Sequence, residues 1–500
     1  MARKLKPKQE KVIRVTNSGL IISPYTKYKS SLIESLTAKY DPIYHKMVPV
    51  SGFYDEDTSS FSTYNMDLSM VHGQFPNYEV IYEPENSLRK LDSNYSMKDE
   101  IEFTETQNHL LAQSLQYLQR YHKVFINVPP GTGKTLMTIE LISQLNAKSI
   151  IYCYSSKVLS QWESELDEHT DIRSKNILIL ESSATIEKIR LGTAKADISK
   201  IDIFLLTPKL ADSYCKQYGW DKLNEIYNIL GIGVQVIDEA HRRFGSTIRI
   251  NAHTNPRYHV YLSADFNQAN YENRTQFFKA FRDVPVVGFN SNEMEKLRHI
   301  KAVVCEFDSA PDPLNYMEIT GNKYHWDLFK YVKYQHSVGR VYGIVRHIIT
   351  KIIQTDPKMD KPYKVLVLLN MMNHVDDYTA KLKMDFPNRT VGRYHSQVPD
   401  EEKQQALDAD IIVSTYQSFS TGVNIIKPNI RHCISTAPVD IVSNNQAAGR
   451  CRQIEGMWSF YWMIVDLGFE YCVKNLTRSL AYLQKSKIGS ITTIEMDGEY

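Results

Sequence analysis

The stretch FINVPPGTGKTLMTIELI, Phe125–Ile142, decides how the chain folds. An apolar run ends on a glycine-bearing turn, and the turn opens directly on a helical pattern. Strand, turn and helix in that order form a phosphate-binding loop. Gly131 and Gly133, with Thr132 between them, let backbone N–H groups point at phosphate oxygens. Lys134 brings positive charge to the outer phosphates. Thr135 offers a hydroxyl to Mg2+ and starts a helix whose dipole favours an anion. One position departs from the pattern: the first glycine is replaced by Val128. Kinases, GTPases, motors and unfoldases share such a grip, so the rest of the chain must say what triphosphate cleavage drives.

About a hundred residues downstream comes VQVIDEAHRRFG. An apolar strand delivers Asp238 and Glu239 at its finishing end, where ligands gather on parallel sheets. Asp238 can hold Mg2+, and Glu239 is placed to polarise an attacking water. YLSAD, Tyr261–Asp265, follows another short strand, and its Ser263 can sense the state of Glu239. Between these motifs SIIYCYS, NILIL and DIFLLT read as strands and VLSQWESELDEH as a helix, after an amphipathic helix ETQNHLLAQSLQYLQRYH. A second alternation begins near residue 339, with strands YKVLVLLN, RTVGRYH, DIIVST, IRHCIST and FYWMIVDL. Strands alternating with helices predict parallel sheets covered on both faces, here in two similar halves. Residues 1–100 lack a long helical period and contain pieces such as YEVIYE, which predicts a small accessory domain of mixed or β character. The expected domains are 1–100, 101–290 and 339–500, with 291–338 as a linker or insert.

The bulk composition sets the class. Five hundred residues, 42% hydrophobic and 23% charged, suit several globular domains. A net charge of +2 gives no global attraction to polyanions, so any such binding must be local. The cysteines (153, 215, 305, 433, 451 and 472) form no CxxC pair and no metal spacing, which suits a reduced compartment. No apolar run reaches membrane-spanning length, and the basic start MARKLKPKQEKVIR lacks a signal core. That start reads as a solvated tail or, secondarily, a phosphate-touching arm.

The second half carries NNQAAGRCRQ, Asn444–Gln453. Phosphoryl transfer gains when an arginine meets the developing charge. Gln446 and Arg450 would share one helix face, with Arg452 close by. STYQSFSTGVN, Ser414–Asn424, offers hydroxyls and a flexible Gly422 for positioning phosphates.

Taken in order, GKT, DEAH, SAD, the STG loop and QxxGRxR over residues 100–470 resemble a superfamily 2 helicase. FSTGVNI and the small N-terminal domain are most similar to the DEAD/DEAH-type helicases of tailed phages, which act in recombination, branch migration and replication. The GRxR ending is also similar, more weakly, to viral origin-binding helicases. The resemblance implies two tandem RecA-like α/β domains and the use of ATP with Mg2+. It implies that Gln446 and Arg450 sense the γ-phosphate. The family's second arginine position is Gln453 here, and Arg452 is its candidate substitute. Ser156, Lys157, Thr207, Lys209 and Thr415 match contacts to nucleic acid. Gly422 and Asn424 match positions near the nucleotide, and Gln107 matches an adenine reader. DNA is expected over RNA, and the cytoplasm, a host's if the chain is viral, over a membrane. His395 and Lys403 could add strand contacts, although His395 reads first as a loop histidine with no special role. Three alternatives stay open: a duplex translocase that does not unwind, an RNA helicase, and a nucleotide-dependent structural component.

Overall fold

The computed structural model describes residues 10–496 apart from 18, 28, 42–45, 50–51, 57–58, 65, 87–88, 92–94, 130, 242–243, 264–279, 310–316, 321–322, 356–362, 421–428, 437–443, 445–446, 455 and 484–487. The chain divides into two compact units, Met1–Val128 with Thr132–Phe289, and Pro129–Gly131 with Asn290–Tyr500.

The first unit holds a seven-stranded parallel sheet in the order Ile177–Ile179, Ile203–Leu206, Ser149–Tyr152, Val234–Ile237, Tyr258–Ser263, Lys123–Asn127, Val286–Gly288. Its strands are almost wholly apolar because both faces are buried. Successive side chains alternate between two cores. Phe125, Tyr152, Phe204 and Tyr261 enter one, while Val124, Ile151, Leu205 and Val260 enter the other. The strand that leads into the phosphate loop thus lies inside the sheet, with the strand of Ser263 on one side of it.

The same unit contains the N-terminal sheet, in the order Gly52–Asp55, Ser60–Tyr64, Gly19–Ser23, Val12–Val15, Glu79–Tyr82. Its pairs are antiparallel except the last, which is parallel. Its own small core gathers Ile13, Leu20, Ile22, Tyr25, Ile33, Phe61 and Val71. Tyr64 and Phe53, by contrast, pack into the core of the large sheet. Side-chain bonds cross the same boundary: Asn17 N donates to Asn255 Oδ1 at 2.7 Å, and Asn86 Nδ2 to Asn224 Oδ1 at 2.7 Å.

The second unit repeats the design: Val391–Tyr394, Ile411–Thr415, Tyr363–Leu369, Asn429–Ser435, Ser459–Asp466, Ile300–Phe307, Ile488–Glu495, all parallel. Here the expectation of a linker over 291–338 needs correction. Ile300–Phe307 is a full member of the sheet, held between Ser459–Asp466 and Ile488–Glu495. Its sequence, IKAVVCEF, is apolar enough to be buried on both faces. The helix Leu328–Val338 is fastened to the same sheet through Asp466. That buried carboxylate accepts from Tyr331 Oη at 2.6 Å, Gln335 Nε2 at 3.1 Å and the backbone N–H of Ser309 and Gly468 at 3.0 Å each. No helix among the described residues is long and apolar enough to cross a membrane. All six cysteines are buried free thiols.

Candidate active site

Gly131 and Gly133 adopt φ of +71° and +80°. Such left-handed angles are the kind that let backbone N–H groups face an anion. Gly133 is constrained twice: a Cβ there would sit 2.6 Å from Gln107 Nε2. Gln107 belongs to the helix Glu105–Tyr121, where it closes a capping box with Thr104. Its Oε1 accepts from Thr104 N at 2.9 Å, and its Nε2 donates to Thr132 O at 2.9 Å. The side chain expected to read adenine is therefore the brace that fastens the first helix to the loop. Lys134 and Thr135 begin the helix Lys134–Leu145, both half-buried.

The acidic pair follows the strand Val234–Ile237, which lies two places along the sheet from the strand that leads into the loop. Lys134 Nζ donates to Glu239 Oε1 at 3.2 Å. Asp238 Oδ1 accepts the backbone N–H of Glu239 at 2.9 Å, and its Oδ2 accepts Trp162 Nε1–H at 3.2 Å. Burial raises the Asp238 carboxyl above the usual carboxylate range, and the Lys134 charge works against that rise. Glu239 has φ of +49°, an unusual backbone for a residue with a side chain. Its Oε2 lies 3.3 Å from His241 Nδ1, which in turn lies 2.7 Å from Ser263 Oγ. Lys134, Glu239, His241 and Ser263 thus form one continuous polar chain. Asp238 joins it through the backbone. Trp162 and His241 join the cluster without a sequence expectation. His241 is the last letter of DEAH, a signal that was available, whereas nothing marks Trp162.

A divalent cation fits this donor set. A poorly solvated carboxylate gains from a cation, and the Thr135 hydroxyl supplies an oxygen at the start of the loop helix. Among the described residues no group of three or more His, Cys, Asp or Glu could hold a metal by itself.

The expected strand-contacting residues of the first unit sit at the finishing edge of its sheet. Ser156 and Lys157 are exposed at the start of the helix Ser156–His169, just after the strand Ser149–Tyr152. Thr207 caps the helix Pro208–Tyr218 by accepting Leu210 N–H at 3.1 Å, and Lys209 is exposed on its first turn.

In the second unit Thr415 is only 5% exposed, and its hydroxyl accepts Ser418 N–H at 3.1 Å. Arg450 is half-buried, close enough to Tyr394 and Cys433 for its charge to act on both. The segment before it is anchored by Asn444, which donates to Ser479 Oγ at 3.0 Å and accepts from Tyr461 Oη at 2.8 Å. Arg452 does not suit the role of a second arginine finger. Its N–H donates to Ile430 O at 2.9 Å and its carbonyl accepts Ser459 Oγ–H at 2.6 Å. Both partners lie at the starting ends of their strands, whereas ligand sites on parallel sheets gather at the finishing ends. Burial lowers the pKa of its guanidinium. His395 is also withdrawn from any strand contact. It is 3% exposed, with Nε2 3.1 Å from Asp376 Oδ1. Gly422, Asn424 and Gln446 lie outside the described residues, as does Asp265.

Comparison with known proteins places this geometry. Residues 100–268 match the family model described as type III restriction enzyme, res subunit. A curated relative, "Putative helicase 161L" of Invertebrate iridescent virus 6, is 24% identical over 170 residues. That match covers 34% of this chain and 35% of the relative, so the chain matches only about a third of the relative's length. Among solved structures, the DEAD-box helicase Mss116 bound to ssRNA and UDP-BeF aligns with a TM-score of 0.50 at 15% identity, over 79% of this chain and 76% of that one. The DUF1998 helicase MrfA bound to DNA aligns with a TM-score of 0.49 at 16% identity, over 86% of this chain and 57% of that one. The likeness to Mss116 is one of fold: tandem RecA-like domains.

Proposed function

We propose that this chain is a superfamily 2 helicase of the DEAD/DEAH type that hydrolyses ATP and couples the cycle to movement along nucleic acid. The single observation that carries the reading is the contact of Lys134 with Glu239 at 3.2 Å beside a half-buried Asp238, after a loop whose glycines take left-handed angles.

In this reading Lys134 exchanges Glu239 for phosphate oxygens when the triphosphate binds. That exchange frees the Glu239 carboxylate to orient the attacking water and take its proton. Thr135 and Asp238 hold Mg2+, which neutralises charge on the phosphates when bound. His241 passes the position of Glu239 to Ser263. Arg450, with Gln446, supplies the positive charge that meets the developing negative charge. Gly422 and Asn424 complete the nucleotide's surroundings. Ser156, Lys157, Thr207, Lys209 and Thr415 grip the sugar-phosphate backbone, which carries no sequence information. We take residues 1–100 as an accessory domain and residues 101–290 and 300–500 as the two ATPase domains. DNA is the substrate we favour, in recombination, branch migration or replication of the phage type, on the strength of the FSTGVNI motif and the N-terminal sheet.

An ATPase panel tests the proposal, with single-stranded, duplex, forked and four-way DNA and with RNA as activators. Stimulated turnover that Lys134→Ala abolishes is the expected result. Failure of every nucleic acid to stimulate turnover would overturn the coupling. Affinity should also fall as salt rises, by about 0.7 log unit per log unit of salt for each phosphate contacted on a single strand.

A further inference from the structure

The N-terminal sheet meets the ATPase lobe most extensively through one strand. Ser60–Tyr64 is buried along its whole length against the helix Phe244–His253. Tyr64 Oη lies 3.3 Å from Tyr261 Oη. Tyr261 Oη accepts from Asn251 Nδ2 at 3.0 Å, and Asn251 Oδ1 accepts from Gln235 Nε2 at 2.6 Å. Gln235 Oε1 accepts from Tyr227 Oη at 2.5 Å, and Tyr227 Oη lies 2.9 Å from Tyr152 Oη. Asn251, Gln235, Tyr261, Tyr227 and Tyr152 have no exposed surface, and Tyr64 has 3%. Apolar contacts follow the same route. The ring of Phe281 meets those of Tyr64, Tyr261 and Phe125 at 6.2, 4.9 and 5.2 Å, edge to face in each case.

Four of these residues stand on elements next to the hydrolytic cluster. Gln235 is on the strand that ends at Asp238 and Glu239. Asn251 is on the helix just beyond His241. Tyr261 is on the strand that ends at Ser263, and Phe125 is on the strand that enters the phosphate loop. Glu239 keeps its left-handed backbone only while its surroundings over-determine it. Those surroundings are the strand before it and the helix after it, and both are tied into the buried network. A phenylalanine would fill the place of Tyr64 as well as tyrosine does. Its hydroxyl is what joins the accessory sheet to that network, and a buried hydroxyl is costly unless it is bonded.

We infer that Tyr64 is a positioning residue for hydrolysis, and that the N-terminal sheet is a working part of the ATPase lobe. Through Tyr261, Asn251 and Gln235 it keeps the strand and helix around Glu239 in register. The inference rests on the reading of Glu239 as the residue that activates water.

The test uses the full chain with Tyr64→Phe, Tyr261→Phe and the double variant. It measures kcat and KM for ATP at saturating nucleic acid, and affinity for a fluorescent ATP analogue. Tyr64→Phe should lower kcat roughly 3- to 10-fold, the range that one buried neutral hydrogen bond spans as a rate ratio. KM and analogue affinity should stay within about twofold of wild type, because only the chemical step is touched. The double variant should lose no more than Tyr261→Phe alone, since both hydroxyls act through one contact. A kcat for Tyr64→Phe equal to wild type, or fully additive losses, would overturn the inference. Ser62→Ala is a second variant, which removes the 2.7 Å contact of Ser62 Oγ with His253 Nε2 from the same strand. It should lower kcat in the same direction without moving KM, and an unchanged kcat there also counts against the inference. Glu239→Gln separates the two readings. Turnover that survives it removes the hydrolytic role of Glu239 and this inference together, whereas a Glu239-dependent enzyme indifferent to Tyr64→Phe removes only the inference.

Discussion

At the scale of single residues, the site depends on backbone angles as much as on charges. Gly133 has φ of +80° and no room for a Cβ beside Gln107. Gly133→Ala must pay about 1–2 kcal/mol for a left-handed alanine and must push Gln107 off Thr132 O. Titration calorimetry with a non-hydrolysable ATP analogue should show affinity reduced roughly tenfold or more. Unchanged affinity would mean that the loop is not held as described. The residues proposed to touch phosphate could be picked out in the sequence because that chemistry demands particular types at short spacing. Lys134 contacts Glu239, and Asp238 accepts the backbone N–H of Glu239. Arg452 was only a candidate substitute for the second arginine, since spacing alone cannot tell the starting from the finishing end of a strand, and its backbone bonds to Ile430 and Ser459 lie at starting ends. Gln107 was expected to face the base, yet both ends of its amide serve the loop and the helix cap.

At the scale of elements, the buried polar groups decide how the first lobe responds to pH. His253 ends the helix Phe244–His253, with Nδ1 2.8 Å from Arg249 O and Nε2 2.7 Å from Ser62 Oγ. Burial pushes its pKa down to about 4, so the folded protein holds it neutral. Burial depresses His259 in the same direction. A histidine depressed in the folded state contributes full stability above its unfolded pKa near 6.5, and that contribution shrinks as pH falls toward 4. Between pH 7 and pH 5 the His253 share amounts to about 2 kcal/mol. Urea melts over that interval should show stability falling, with a shallower fall in His253→Gln. An identical slope in the variant would contradict the assignment. Such groups were invisible in the sequence. Gln235 inside VQVI and His259 inside YHVYLS break an apolar strand without any periodic signature. The strand Ile300–Phe307 was missed for another reason. Its partner Ser459–Asp466 lies about 160 residues further along the chain, and no motif follows it to mark its end.

At the scale of the whole molecule, the first unit is one body made from two sheets. Tyr64 and Phe53 of the smaller sheet belong to the core of the larger. Removal of residues 1–85 should therefore expose that core. The shortened protein should bind a hydrophobic dye and unfold over a broad range. Cooperative unfolding with undiminished ATP turnover would show the small sheet to be dispensable. The repeated parallel sheets were legible because buried strands read as apolar runs bounded by motifs, while the mixed N-terminal sheet has short strands without such marks. The account as a whole turns on the lysine–glutamate contact beside the half-buried aspartate. Its most direct test is steady-state ATP turnover of the intact chain, with and without single-stranded DNA, beside Glu239→Gln. Turnover raised by DNA in the wild type and reduced at least about 100-fold in the variant, with ATP affinity retained, is what the account predicts. Equal turnover in the two proteins would contradict it.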